Sequence, residues 1–438
     1  MRSLSLAQGD IFDYLPNDIQ SIGDLQRLNV VLKEIPYQKL LLKLNAERKN
    51  GRDDYPNQEM FFILVAQFLF GRLQSAAMRR ELSGNPSLRW LVGISDAENT
   101  SLERHLVPPE ATFSLFMDRL IAHQADLDEI VADLRKRVYD EIPGVGVKLA
   151  GDGKYFDSYT PNAHSGVVSD TRRAEHDATY SKKSYTYRTD AGERHTKSET
   201  HYGFRKHTIV DATTELPIAS VLTVANEDEK KIMTELIRGL PSYVMKRAKY
   251  MSFDRGYDSG DFIGFIRSYD VVPIIDKRMM RKGDPLRQYK DKNAFYTDAG
   301  DVYYIDEYAS SDINPETGYP GCYVRAQYLG YDKSRGTIRY RCGNHVVRIY
   351  VKDDPRTFNE VARDSRKFEL EYNRRTSVER YHARLDCDFG FETHTIRGIG
   401  KMRVMTTMAD IVMLATALAH KDLGQNNYAS IFDFGFVR

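Results

Sequence analysis

Residues 148–155 read KLAGDGKY, and they set Asp152 between two glycines directly after an apolar run at 145–150. A second carboxylate, Asp254, ends the run AKYMSFD and opens SFDRGYDS. A third, Glu379, lies in EYNRRTSVERYHARLD. If the two aspartates end neighbouring strands, their side chains leave the same end of a sheet, and a helix packed across that sheet brings the glutamate to them. Bare carboxylates so grouped repel one another. Hard cations such as Mg²⁺ take just such oxygen ligands, and two ions ~3.5–4 Å apart clamp the attacking and leaving oxygens of a phosphodiester. A single strand-end aspartate is as well explained by a capped turn, so the combination carries the reading. Asp157 and Asp258 stand further from the apolar runs and are the rivals for the two positions. Lys154 suggests a phosphate loop, but the G-x-x-x-x-G-K-[ST] spacing is missing.

Tyr372, Arg375 and Glu379 follow an i, i+3, i+7 spacing, which puts them on one face of a helix. An arginine fork there suits either the glutamate or a phosphate, and a tyrosine suits a phosphate or a base. Residues 171–206 hold nine Lys/Arg against five Asp/Glu, interleaved with Tyr180, Tyr185, Tyr187 and Tyr202. That pattern suits DNA backbone and exposed bases, and a solvated loop is the plainer alternative.

The elements that must position these groups show as changes of texture. Residues 58–135 carry apolar side chains at helical spacing, broken at Ser83-Gly84-Asn85-Pro86, with Arg72, Arg79, Arg80 and Arg89 reading as exposed. From 145 the order is three strands, a helix (227–240), a strand ending at Asp254, a helix (259–269) and a strand (271–276), which makes a mixed α/β sheet. Residues 277–362 alternate short aromatic and β-branched runs with turn residues and read as an antiparallel insertion. Helical pattern returns at 359–385 and 399–423, and the last residues read as a loose tail.

Composition narrows the class without naming it. The chain has 438 residues, 41% hydrophobic and 29% charged, and a net charge of +1, so any nucleic-acid face must be local. Three cysteines, Cys322, Cys342 and Cys387, argue against a disulfide framework. Cys342, His345 and Cys322 lack a fourth ligand for a structural zinc site. No signal peptide is evident, and the run 405–419 reads as a buried helix; a cytoplasmic protein is expected.

On these residues the chain resembles the DDE transposases of bacterial insertion sequences. LAGDGKYFDSY resembles the family's first-aspartate strand, HYGFRKHTIVDATTELPIASVLTVANEDE its hairpin and following helix, SFDRGYDS its second-aspartate segment and YNRRTSVERYHARL its glutamate helix. The resemblance implies a ribonuclease H-like mixed sheet with flanking helices, interrupted by a β insertion and preceded by an all-helical domain. The expected division is a lead segment (1–55), a helical DNA-binding domain (56–144), the catalytic domain (145–276), the insertion (277–362), the catalytic C-terminal helices (363–425) and a tail (426–438). It implies Asp152, Asp254 and Glu379 as ligands of two Mg²⁺ ions, with Mn²⁺ able to substitute. Lys154, Arg255, Tyr372, Arg375, Arg205 and Lys206 are then expected to contact DNA. The implied activity is cleavage at terminal inverted repeats and strand transfer, by a homodimer on DNA in a prokaryotic cytoplasm, with no membrane and no small-molecule substrate. The alternatives are a repurposed DNA-binding relative and a nuclease without strand transfer. One group of the family carries Tyr, Arg, Glu and Lys on the last helix; here Asp386 stands where the lysine is expected, and Lys401, Arg384 and Arg380 are candidates to compensate.

Overall fold

The structure, a computed structural model, describes residues 23–47, 55–94, 107–161, 174–188, 194–277, 286–315 and 317–434. Part of the lead segment, Arg172, Arg173 and the side chains of Tyr185, Tyr187, Arg188 and Arg194 therefore lie outside the described residues.

The helical pattern condenses into α1 (Gly23–Glu34), α2 (Gln38–Ala46), α3 (Asn57–Leu69), α4 (Ser75–Gly84), α5 (Pro86–Leu91), α6 (Glu110–Ala122) and α7 (Gln124–Glu141). Residues Met60 to Leu69 of α3 are all buried, as an all-round apolar helix must be. The expected break falls between α4 and α5, where the Asn85 side chain accepts from Leu88 N at 3.0 Å and Pro86 opens the next turn. Arg89 is not exposed as expected. It is 7% exposed and donates to the carbonyls of Leu82 (2.7 Å) and Ser83 (3.0 Å), capping the end of α4.

The sheet has six strands: β1 (Lys148–Asp157), β2 (Thr179–Arg188), β3 (Arg194–Asp211), β4 (Pro217–Val224), β5 (Tyr250–Phe253) and β6 (Val272–Ile275). The order is β2-β3-β1-β5-β6, with β4 also on β3. β1, β5 and β6 run parallel and β3 runs against β1. This is the expected ribonuclease H-like mixed sheet. The polar, basic stretch is folded into the long β2–β3 hairpin, with Thr179 opposite Gly203 and Arg188 opposite Arg194. The β3–β4 turn is held by Asp211, which accepts from Thr214 N at 2.7 Å and Gly146 N at 2.8 Å. α8 (Glu229–Arg238), α9 (Ser242–Arg247) and α10 (Gly260–Arg267) connect the parallel strands.

The insertion forms two antiparallel sheets. One holds β7 (Arg287–Gln288), β8 (Phe295–Tyr296), β9 (Val302–Ile305) and β10 (Tyr323–Arg325); the other holds β11 (Gln327–Asp332), β12 (Thr337–Cys342) and β13 (His345–Tyr350). Tyr289, Ile338, Tyr340, Ile349 and Phe358 belong to its own apolar core. All three cysteines are free.

The C-terminal part departs from one long helix. α11 (Arg366–Asn373) and α12 (Thr376–Ala383) are separated at Arg374-Arg375, where Arg375 N bonds Tyr372 O at 2.9 Å and Ser377 N bonds Arg374 O at 3.0 Å. These bonds reach back three residues, so the chain tightens there and one helix gives way to the next. A π turn (Arg384–Asp388) ends α12, and α13 (Ile399–Asp422) comes after it. α13 is long and apolar enough to cross a membrane, yet 89% of its most apolar window is buried, against α1, α6, α7 and β4. Helical region, sheet and α13 share one apolar core. The expected loose tail is packed as far as Phe434: Ile431 and Phe434 are 2% exposed, and the His420 ring stacks on Phe434 at 4.0 Å.

Candidate active site

β1 and β5 pair Ala150 with Ser252, and each aspartate stands two residues further on. Asp152 and Asp254 are therefore level at one end of the sheet. Asp152 does not end its strand, as the sequence suggested, because β1 runs on to Asp157. The flanking glycines explain this. A Cβ on Gly151 would meet the Phe253 ring at 2.4 Å, and one on Gly153 would meet Arg205 Nε at 2.6 Å. They permit close approach and make no turn. Asp254 also caps the turn Arg255–Tyr257, its Oδ1 accepting from Gly256 N at 2.9 Å.

Burial drives the Asp152 carboxyl upward, the neighbouring Glu229 and Asp254 charges add to it, and it is pushed up to about 7. Asp254 is raised by burial and then by Glu229. Lys183, from β2, opposes both shifts, and Arg375 opposes that of Asp254. Two facing carboxylates that resist ionisation on their own offer hard oxygen donors, and this chemistry fits a divalent cation. Among the described residues, no three His, Cys, Asp or Glu side chains converge closely enough to hold a metal ion.

Glu379 accepts from Arg375 Nη1 at 2.5 Å and is 49% exposed. The Arg375 charge that it engages also acts on Asp152 and Asp254. Arg375 lies over the Tyr372 ring at 5.7 Å, so the expected trio does meet, across the α11–α12 break and not along one helix. Arg255 bonds Asp276 at 2.7 Å. Lys154 bonds Asp386 at 2.6 Å.

Two expected DNA contacts are turned inward. Lys206 is 1% exposed; its Nζ donates to Asp410 Oδ2 at 2.8 Å and to Thr406 O at 3.0 Å. Arg205 is 4% exposed, pairs with Glu229 and lies over the Tyr155 ring at 4.7 Å. Strand alternation sends these neighbours to opposite faces of β3, and both faces are covered. Arg380 and Arg384 are both bound to Glu215. The rival aspartates are engaged elsewhere: Asp157 with His201 at 2.9 Å, Asp258 with Arg356 at 2.8 and 3.1 Å.

Sequence reasoning missed Glu229. Asp228-Glu229 reads as the acidic start of a helix, and Asp228 does cap α8 by accepting from Lys231 N at 2.8 Å. It also left Lys183 undistinguished among the basic residues. Only the β2–β3 register singles it out, placing it opposite Glu199 on the hairpin.

Comparison with known proteins agrees with this architecture. The model of the transposase DDE domain matches residues 169–414, more than half of the chain, including Asp254 and Glu379. A further transposase domain model matches residues 15–119. A Burkholderia cepacia protein named as a transposase for insertion sequence element IS402 is 33% identical over 91 residues, 19% of this chain and 43% of the relative. The chain thus spans less than half the length of that relative. A solved piggyBac transposase synaptic complex with hairpin DNA aligns over 96% of this chain and 80% of its own, at 10% identity and a TM-score of 0.40. The mixed sheet, its inserted β sheets and the family match lead to one conclusion: the chain belongs to the family of transposases that carry a DDE domain.

Proposed function

We infer that this transposase cuts the phosphodiester at the ends of its own insertion sequence and joins the freed end to target DNA. The observation that carries the reading is the level placement of Asp152 and Asp254 on adjacent parallel strands, inside a transposase fold. Asp152 and Asp254 would hold divalent ions, Mg²⁺ or Mn²⁺, with Glu379 joining them once Arg375 is drawn off by a DNA phosphate. Such ions, when bound, supply Lewis-acid stabilisation of charge on the phosphoryl oxygens.

The chain's own groups do the rest. Lys183 and Arg375 set positive charge against the aspartates where a phosphate would enter. Tyr372, under the Arg375 guanidinium, is placed to steady the same strand. Water attacks phosphorus, the P–O3′ bond breaks, and the leaving oxygen takes a proton to become a 3′-OH. That hydroxyl then attacks a phosphodiester of the target, expelling its 3′ oxygen and conserving the number of phosphodiester bonds. No covalent protein–DNA intermediate is required. Joining two ends calls for two copies on DNA, in a prokaryotic cytoplasm where the nucleoid is the substrate.

The test is cleavage and joining in vitro on DNA carrying the element's ends, with Mg²⁺ or Mn²⁺, wild type against Glu379→Gln. The reading expects metal-dependent cuts at the end and joined products, both lost in the variant. Binding without cleavage under either metal would make the chain a DNA-binding relative. Cleavage without joining would make it a nuclease.

A further inference from the structure

The insertion carries a charge that its fold does not call for. Residues 327–352 hold six Lys/Arg, at 333, 335, 339, 341, 348 and 352, against one acid, Asp332, in a chain whose net charge is +1. The register of β11, β12 and β13 sorts them. Ile338, Tyr340, Val347 and Ile349 are buried in the insertion's core. Their strand neighbours Arg339, Arg341, Val346, Arg348 and Tyr350 therefore share the outer face. There Arg339 stands directly opposite Arg348, with Arg341 two residues along. Like charges set opposite one another destabilise a sheet, so packing gives no reason for the pair. Arg341, Arg348 and Lys352 are exposed. Among the described residues, none of Arg339, Arg341, Arg348 and Lys352 forms an ion pair. Arg339 Nε is buried without a hydrogen-bond partner. Asp332 accepts instead from Ser334 Oγ at 2.7 Å. Tyr350, 36% exposed, has the Lys352 ammonium against its ring at 5.5 Å.

The geometry points to this face as a second DNA-binding surface, which takes duplex DNA by its phosphates and reads no sequence. Guanidinium forks bind phosphate oxygens two at a time, and such contacts position a duplex without specifying it. A protein partner fits less well. Val346 and the Tyr350 ring are the large apolar groups exposed on this face, whereas the core of a protein interface is apolar and poor in charge. The inference does not rest on the reading of Asp152 and Asp254 as metal ligands.

The test is binding of the full chain, in EDTA, to a random-sequence duplex that lacks the element's ends, followed by fluorescence anisotropy between about 50 and 200 mM salt. One variant combines Arg341→Gln, Arg348→Gln and Lys352→Gln. A control removes the same charge elsewhere, through Lys231→Gln, Lys246→Gln and Lys249→Gln, all exposed positions on or beside α8 and α9. Thermal unfolding checks the fold of each. The expected slope of log K against log salt is shallower by about 2–3 in the first variant, with affinity lowered about fivefold or more at the lowest salt. The control should stay within about twofold of wild type with its slope unchanged. Should the triple variant not fold, Arg348→Gln alone, which also relieves the charge opposite Arg339, should lower the slope by about one. Wild-type affinity and slope in a folded variant of this face overturn the inference, as does an equal loss in the control. Either result leaves an acidic protein as the partner that the charge fits.

Discussion

Lys154 and Asp386 are joined by a 2.6 Å ion pair that ties β1 to the π turn after α12. Lys154 shares a face of β1 with Asp152, two residues before it. The carboxylate that stands where a lysine was expected is thus met by a lysine from the strand, and the cation is kept near the aspartates. Asp386→Lys sets two ammonium groups against each other and is expected to lower stability by ~1–2 kcal/mol, read as a drop in Tm. Asp386→Asn frees Lys154 for phosphate, so the slope of log K against log salt for DNA binding should steepen by about one.

The raised Asp152 carboxyl predicts a pH dependence. Its folded value of about 7 lies above the ordinary aspartate value of ~3.9, so the folded state binds the proton more tightly. Without metal, stability is greatest at low pH and falls as pH rises from ~4 to 7, and the full penalty is present at pH 8. Asp152→Asn is expected to raise stability in EDTA by ~2–4 kcal/mol at pH 8 and to change it little near pH 4. Thermal melts at the two pH values read the difference. In wild type, Mn²⁺ affinity should weaken as pH falls below 7, since the ion displaces that proton.

The buried pair of Lys206 and Asp410 is structural. Asp410 also accepts from Ser220 Oγ at 2.7 Å and Tyr381 Oη at 2.6 Å, so one carboxylate gathers β3, β4 and α12 onto α13. Lys206→Met removes the charge that balances it there and is expected to cost ~3–5 kcal/mol in urea unfolding. DNA affinity of the folded fraction should stay within about twofold of wild type, because no phosphate contact is lost.

Gly151→Ala puts a methyl 2.4 Å from the Phe253 ring, which is itself packed between Tyr257 and Phe262. The expected cost is ~1–3 kcal/mol of stability. Asp152 should move with its strand, so cleavage falls further than the stability loss alone accounts for. The measurement is kcat for end cleavage at a temperature where the variant is folded.

The sheet and the two aspartates were legible because apolar runs and their punctuation record strand order directly. Ala150 and Ser252 pair where the two runs lie side by side, and the acids follow from that register. Asp152 does not end its strand because β1 runs on to Asp157, and Phe253 and Arg205 occupy the space that side chains at Gly151 and Gly153 would need. Arg205 and Lys206 misled because charge in a sequence says nothing of a buried partner on another element, such as Asp410 for Lys206, and Arg89 because its guanidinium turns back onto the Leu82 and Ser83 carbonyls. Tyr372, Arg375 and Glu379 share a helical spacing, yet the bonds reaching back three residues at Arg375 and Ser377 break that helix. Glu229 was hidden because its partners, Arg205 and Tyr257, come from two other elements.

The central claim is that Asp152 and Asp254 carry the chemistry and not the binding of DNA. The most direct measurement compares wild type with Asp152→Asn and Asp254→Asn on end-bearing DNA, recording mobility shift and Mn²⁺-dependent cleavage in the same samples. The account predicts binding within about threefold of wild type in both variants, and cleavage reduced by ~10³-fold or more in each. Cleavage at or near the wild-type rate in either variant would contradict it.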